Sequence, residues 1–266
     1  MSKTTLSNCV KRIKESPTLA ITAKAAKLKS EGKDIIGLAA GEPDFDTPDF
    51  IKKAAIKAIN DGLTKYTPVS GLPSLKKAIV EKFKRDNNLD YQTNEVIAGV
   101  GGKQCIFNLF LALLNPNDEV IIPTPYWVSY TDIVELTGAI PLLIHCGIDQ
   151  SFKMTPEQLE KKINKKTKLV ILNSPSNPTG STYSKNELKK LADVLIKYPD
   201  IYIMTDDIYE HIRLDEQPFN NIVMVEPKLK SRCIIINGVS KAYSMTGWRI
   251  GFAAGPKEII SGMTIL

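Results

Sequence analysis

Residues 169–206 read LVILNSPSNPTGSTYSKNELKKLADVLIKYPDIYIMTD, and this stretch decides the fold. Leu169–Asn173 is an apolar, Val- and Ile-rich run of strand length. It ends in a loop of Asn, Ser, Pro and Gly, the residues that break regular structure. Ser184 then opens an amphipathic segment to Ile196, with Glu187 three residues later forming the Ser-x-x-Glu pattern of a capping box. A second apolar run, Ile201–Thr205, follows and stops at Asp206. Strand, helix and strand in this order imply a crossover connection, and so a parallel pair.

Outward from this unit the alternation continues from about residue 95 to 255. Further strands are predicted at Val96–Val100, Val120–Pro123, Ile140–Ile144, Cys233–Asn237 and Arg249–Ala254. Helices are predicted at Lys103–Leu114, at Thr155–Ile163 with Pro at its first position, and from Pro256 to Met263. The expected fold class is α/β, a mostly parallel seven-stranded sheet with helices on both faces. Residues 1–35 read as helical and polar. The short apolar piece Ile36–Ala40 then ends in Gly41-Glu42-Pro43, and this arm is expected to belong to a second layer or small domain.

Composition narrows the function. The 266 residues carry 35 Lys and Arg against 29 Asp and Glu, a net charge of +6, with 43% hydrophobic residues. That balance excludes disorder, and a chain this long can bury a sizeable core. The lysines alternate with apolar residues at helical spacing, as solvated helix faces do, so no nucleic-acid partner is expected. Cys9, Cys105, Cys146 and Cys233 stand alone, without a CxxC pair, and Cys105 and Cys233 sit in apolar runs as small hydrophobes. The only histidines are His145 and His211, so no metal centre is expected. The longest apolar run, Leu109–Leu114, is far short of a membrane span. The first twelve residues hold no apolar signal core, and a cytoplasmic setting is expected.

Four clusters carry the chemistry, each at the carboxyl end of an expected strand. Gly99-Val100-Gly101-Gly102-Lys103-Gln104 opens a helix. Gln104 stands where a dinucleotide fingerprint needs glycine, and Ile97 and Gln104 both break a P-loop, which leaves a glycine turn whose N–H groups can hold one phosphate. Asn173 to Gly180 places Asn177 at the same rim. Thr205-Asp206-Asp207-Ile208-Tyr209-Glu210 adds a carboxylate and a phenol. Asn237 to Gly251 adds Lys241, a nucleophile if desolvation lowers its pKa, and Arg249, a fork for phosphate. Read singly, each cluster is as well explained by a turn, a helix cap or a solvated lysine. Together they suit a pyridine ring bearing an aldehyde, a hydroxyl and a phosphate.

With these motifs the sequence resembles the class I/II aminotransferases of pyridoxal-phosphate fold type I. It is most similar to bacterial aspartate aminotransferases, including the branch that also uses prephenate. The resemblance runs in order through Ala40-Gly41-Glu42-Pro43-Asp44-Phe45-Asp46-Thr47-Pro48, Lys65-Tyr66-Thr67-Pro68, Val100–Gln104, Pro125-Tyr126-Trp127-Val128-Ser129-Tyr130, Asn173–Gly180, Asp206–Glu210, Ser240-Lys241-Ala242 and Met245–Gly251. It implies a pyridoxal 5'-phosphate cofactor held by a Schiff base on Lys241, which then shuttles the substrate proton. It implies Asp206 on the pyridinium nitrogen, Tyr209 and Asn177 on the ring hydroxyl, and Trp127 on the ring face. Gly101, Gly102, Lys103 and Arg249 would meet the phosphate. Tyr66 would reach the phosphate of a neighbouring subunit, which requires a homodimer. Gly41 would offer its backbone to the substrate carboxylate, with Trp127 and Asn177 also on the substrate side, and Lys14 would contact a dicarboxylate. The implied reaction converts L-aspartate and 2-oxoglutarate to oxaloacetate and L-glutamate, with prephenate as a second acceptor.

The same resemblance divides the chain into residues 1–45, an arm and part of a small domain, and 46–266, the cofactor-binding large domain. Two departures stand out. Gly238 occupies the place of a phosphate-binding Ser or Thr three residues before Lys241, a role expected to fall to Ser240 or to the backbone N–H alone. The chain also stops soon after Arg249, and is expected to be a truncated product lacking the arginine that clamps the substrate's α-carboxylate. The rival readings are a non-catalytic remnant and another fold-type-I reaction such as a β-lyase.

Overall fold

The structure, a computed structural model, describes residues 5–13, 15–38, 41–214 and 217–266. Among them seven strands form one sheet: β1 Val96–Gly99, β2 Glu119–Thr124, β3 Ile140–His145, β4 Thr167–Asn173, β5 Tyr202–Asp206, β6 Cys233–Gly238 and β7 Gly251–Ala254. Their order across the sheet is β1-β7-β6-β5-β4-β2-β3. The pairs β2–β3, β2–β4, β4–β5 and β5–β6 are parallel, and β7 runs antiparallel to both β6 and β1. The antiparallel strand follows from chain length: residues 239–250 join β6 to β7 without a crossover helix, and a short connection returns antiparallel.

The helices are α1 Pro17–Ser30, α2 Asp49–Asn60, α3 Pro73–Asn87, α4 Gly102–Leu113, α5 Ser129–Thr137, α6 Pro156–Lys162, α7 Lys185–Ile196, α8 Ile222–Val225 and α9 Lys257–Ile265. Helix starts follow local chemistry. Ser184 Oγ accepts from the Glu187 N–H at 3.2 Å while Glu187 accepts from the Ser184 N–H at 2.7 Å, so the expected capping box forms. Thr155 and Gln158 make the same exchange at the head of α6.

Strand side chains alternate between two cores, because successive Cβ atoms point to opposite faces. Val170 and Leu172 of β4, Cys233 and Ile235 of β6, and Phe252 of β7 enter the core covered by α3, α6, α7 and α8. Leu169 and Ile171, Ile234 and Ile236, and Ala253 enter the other, covered by α4, α5 and α9. Leu188, Leu191, Ala192 and Leu195 give α7 one apolar stripe toward the sheet. Both faces of the sheet are therefore buried, which is why its strands read as unbroken apolar runs.

One boundary differs from expectation. Arg249, read as the start of the last strand, has φ 56° and caps a short turn, Thr246–Trp248, so β7 begins at Gly251. Cys105 and Cys233 are buried thiols, as expected; Cys146 is buried too, and Cys9 is exposed. No helix among the described residues is long and apolar enough to cross a membrane.

Candidate active site

The chain passes from β2 outward to β3, then returns across the sheet to β4 and continues the other way through β5 and β6. The direction of winding reverses between β2 and β4, and in such sheets ligands bind outside the carboxyl ends of the strands at that reversal. All four clusters lie at this rim or beside it.

Asp206 ends β5 and is buried, with 6% exposure. The Tyr130 hydroxyl, from α5, donates to its Oδ2 at 2.6 Å, and the Ile208 N–H donates to Oδ1 at 3.3 Å. Asn173, at the end of β4, donates through Nδ2 to the Asp206 carbonyl at 2.8 Å. Its Oδ1 accepts from the Asn177 N–H at 2.8 Å. The two strand ends and the loop bearing Asn177 are thereby tied together. Burial pushes the Asp206 carboxyl above the usual carboxylate range, and its two hydrogen bonds oppose that. Burial and the charge of Asp206 raise the Tyr209 phenol, and the neighbouring Asn177 amide offsets part of the rise.

Lys241 follows β6, half-buried, its Nζ 5.8 Å from the centre of the Tyr209 ring. It donates a hydrogen bond to the Gly41 carbonyl. Burial lowers its pKa, Glu42 works against this and the Arg249 cation adds to it. The arm bearing Gly41 is pinned here. Thr246 donates to Glu42, Thr47 donates to the Ser244 carbonyl at 2.6 Å, and Trp248 Nε1 donates to Thr47 at 3.0 Å.

The glycine turn between β1 and α4 meets the same rim. Gly101 has φ 84°, and a Cβ there would lie 2.4 Å from Nη2 of Arg249, so the guanidinium rests on the glycine's bare face. Gly102 and Lys103 are the first residues of α4, and N–H groups in that first turn have no intrahelical acceptor. Lys103 Nζ lies 5.0 Å over the Trp127 ring, and Trp127 meets Tyr130 edge-on, centroids 5.4 Å apart at 86°. The structure thus brings together Lys241, Asp206, Tyr209, Asn177, Trp127, Gly101, Gly102, Lys103, Arg249 and Gly41 along one rim. Ser240 is buried beside Lys241. Tyr66 is fully exposed and makes no hydrogen bond or ring contact among the described residues. Lys14 lies outside the described residues. The sequence reading gave no role to Tyr130 or Asn173; Tyr130 stood in the Pro125–Tyr130 motif, and the strand-terminal position of Asn173 was the available signal.

Asp206 carries the test of fit for a cofactor. A buried carboxylate needs a cation or several donors. Among the described residues no Lys, Arg or His pairs with it, and only one of its oxygens holds a short bond. A protonated ring nitrogen suits that vacancy in the donor set, and the glycine turn with Arg249 suits a phosphate.

Residues 33–266 match the family model of aminotransferase class I and II. The chain belongs to that family. It is 59% identical over 258 residues to the aspartate/prephenate aminotransferase of Nitrosomonas europaea, covering 97% of this chain and 65% of that protein. It is 56% identical over 261 residues to the probable aspartate/prephenate aminotransferase of Rickettsia felis, covering 98% and 64%. The crystal structure of the aspartate aminotransferase from Rhizobium meliloti matches with TM-score 0.95 at 49% identity, over 99% of this chain and 66% of that one. The Thermus thermophilus aspartate aminotransferase with maleate matches with TM-score 0.94 at 43% identity, over 99% and 68%. The chain spans 64–65% of the length of the two curated relatives.

Proposed function

We propose that this chain is the cofactor-binding part of a pyridoxal 5'-phosphate-dependent aspartate aminotransferase. The observation that carries the reading is the buried Asp206 carboxylate, without a cation of its own, at the rim that also holds a desolvated Lys241. The names of the relatives support aspartate as amino donor and prephenate as a further acceptor. The net reaction is L-aspartate plus 2-oxoglutarate to oxaloacetate plus L-glutamate, in two half-reactions.

Pyridoxal phosphate, when bound, supplies an electron sink for the pair left at the substrate Cα when its proton departs. Asp206 holds the ring nitrogen protonated by accepting its hydrogen bond. Tyr209 and Asn177 bond the ring hydroxyl, Trp127 covers the ring face, and Gly101, Gly102, Lys103, Ser240 and Arg249 hold the phosphate. Lys241 is the amine that would hold the cofactor aldehyde, with loss of water, and once freed would take and return the proton at the substrate Cα. Its lowered pKa keeps more of the amine unprotonated, as a nucleophile and base must be. Gly41, already at the lysine, offers backbone to the substrate carboxylate, and Lys14 is proposed from the sequence alone as a dicarboxylate contact. Tyr66, fully exposed, serves the phosphate of a second subunit in a homodimer. Residues 1–45 form an arm with part of a small domain, residues 46–266 the large domain, and the setting is cytoplasmic.

Visible absorption titration with pyridoxal phosphate, beside Lys241→Ala, tests this. A lysine-dependent band that bleaches on adding aspartate is expected. A band indifferent to aspartate removes the substrate assignment, and no band from folded protein removes the cofactor assignment.

A further inference from the structure

Tyr130 is the largest fully buried side chain among the described residues, with 1% exposure. A phenylalanine would fill the same space without burying a hydroxyl, whose transfer from water costs free energy unless it finds a partner. Among the described residues the one partner of this hydroxyl is Asp206, at 2.6 Å. That distance falls in the short range of hydrogen bonds to a charged acceptor. The other carboxylate oxygen has only the 3.3 Å contact from the Ile208 N–H, so Tyr130 is the main restraint on how the carboxylate points. The same ring stands edge-on to Trp127 at 5.4 Å and 86°. Tyr130 in turn is fixed by α5 and by the core shared with α4 and β2.

We propose that Tyr130 is the positioning residue of this site: its hydroxyl aims the Asp206 carboxylate and its ring edge sets the plane of Trp127, so one buried side chain aligns two contacts to the cofactor ring. The inference rests on the reading of Asp206 as partner of the ring nitrogen. Its chemistry on the carboxylate is testable without any cofactor. Losing the hydroxyl removes a donor that favours the charged carboxylate, so the acid form of Asp206 persists to higher pH. The groups facing Asp206 that titrate are Tyr130 from α5, Cys105 from α4 and Tyr209 beyond β5, while the carboxyl of the adjacent Asp207 is held by Thr205 and Asn221. Burial raises Tyr130, Cys105 and Tyr209, so their neutral forms face Asp206 through the range of the experiment.

The experiment is an NMR titration of the Asp206 side-chain carboxyl in aspartate-labelled protein, assigned with Asp206→Asn. Tyr130→Phe is expected to raise the midpoint by about 1 to 2 pH units, the worth of one hydrogen bond to a charged group. Tyr183→Phe is the control for lost packing of a buried phenol. The Tyr183 hydroxyl accepts from the Met154 N–H at 2.7 Å, in the other core. That variant is expected to leave the midpoint where it is. A fluorinated tyrosine at position 130, a stronger donor in the same shape, should lower the midpoint. Equal midpoints in Tyr130→Phe and parent, or equal shifts from Tyr130→Phe and Tyr183→Phe, overturn the proposal. Pyridoxal phosphate binding gives the second readout, with a dissociation constant raised roughly tenfold in Tyr130→Phe. If the parent binds no cofactor while the midpoint still shifts, the functional reading fails and the role of Tyr130 on Asp206 stands.

Discussion

Replacing Gly251 by alanine would set a methyl group against the glycine turn that heads α4. An ideal Cβ there lies 2.2 Å from the Gly102 nitrogen, 2.4 Å from the Gly101 carbonyl carbon and 2.8 Å from the Gly102 Cα. Carbon contacts settle at about 3.5 Å or more, so the turn must retreat by roughly 1 Å. All three atoms are backbone, and no flexible side chain can swing away. Overpacking of this kind costs about 1–3 kcal/mol, and a backbone-to-backbone clash belongs at the upper end. For a chain of this size that lowers Tm by about 5–10 °C. The turn also carries Gly101, on which Arg249 rests, so affinity for pyridoxal phosphate should fall roughly tenfold with it. Gly247→Ala is the control, since nothing lies within 4 Å of its Cβ and it should melt with the parent. Thermal unfolding followed by circular dichroism, with a cofactor titration on each protein, measures both effects. A Gly251→Ala chain that melts with the parent and binds cofactor equally would refute the packing argument.

Other outcomes follow from single groups. Asp207 is buried with its pKa pushed up to about 7, first by burial. Because the folded value exceeds the unfolded one, its stabilisation is full below about pH 4 and is lost as pH rises through 7, at up to about 1.4 kcal/mol per pH unit. Asp207→Asn should flatten that part of a urea-stability profile between pH 5 and 8. Arg232 donates to the carbonyls of Leu195, Tyr198 and Ile201 at 2.7, 3.1 and 2.5 Å, closing the end of α7. Arg232→Ala should cost about 2–3 kcal/mol by urea unfolding, and an unchanged midpoint would deny those bonds any role. Glu42 favours the charged form of Lys241, so Glu42→Gln should move the pH midpoint for modification of Lys241 by a small aldehyde downward. An upward shift would contradict that electrostatic picture.

Much of this was legible in the chain because strands buried on both faces announce themselves as apolar runs, and β4 and β6 at the centre of the sheet do so most plainly. Ser184 and Thr155 started their helices where their capping patterns lie. Arg249 was misplaced into β7 because a left-handed arginine has no sequence mark; its conformation follows from the turn at Thr246–Trp248. The antiparallel sense of β7 depends on the absence of a crossover helix, a property of the connection and not of the strand. Tyr130 and Asn173 escaped because their work is done across the fold, on a residue 76 and 33 positions away. The residues read as touching the cofactor were found through their motifs, and those that hold them in place appear only once the strand ends meet.

The central claim is that Lys241, facing the rim that Asp206 shares, is the amine that takes the cofactor. Borohydride reduction of the protein mixed with pyridoxal phosphate, followed by peptide mass spectrometry, tests it most directly. The account predicts one added phosphopyridoxyl group on the peptide containing Lys241, lost in Lys241→Ala and weakened in Asp206→Ala. Label spread over exposed lysines, or fixed on Lys103 in its place, would contradict it.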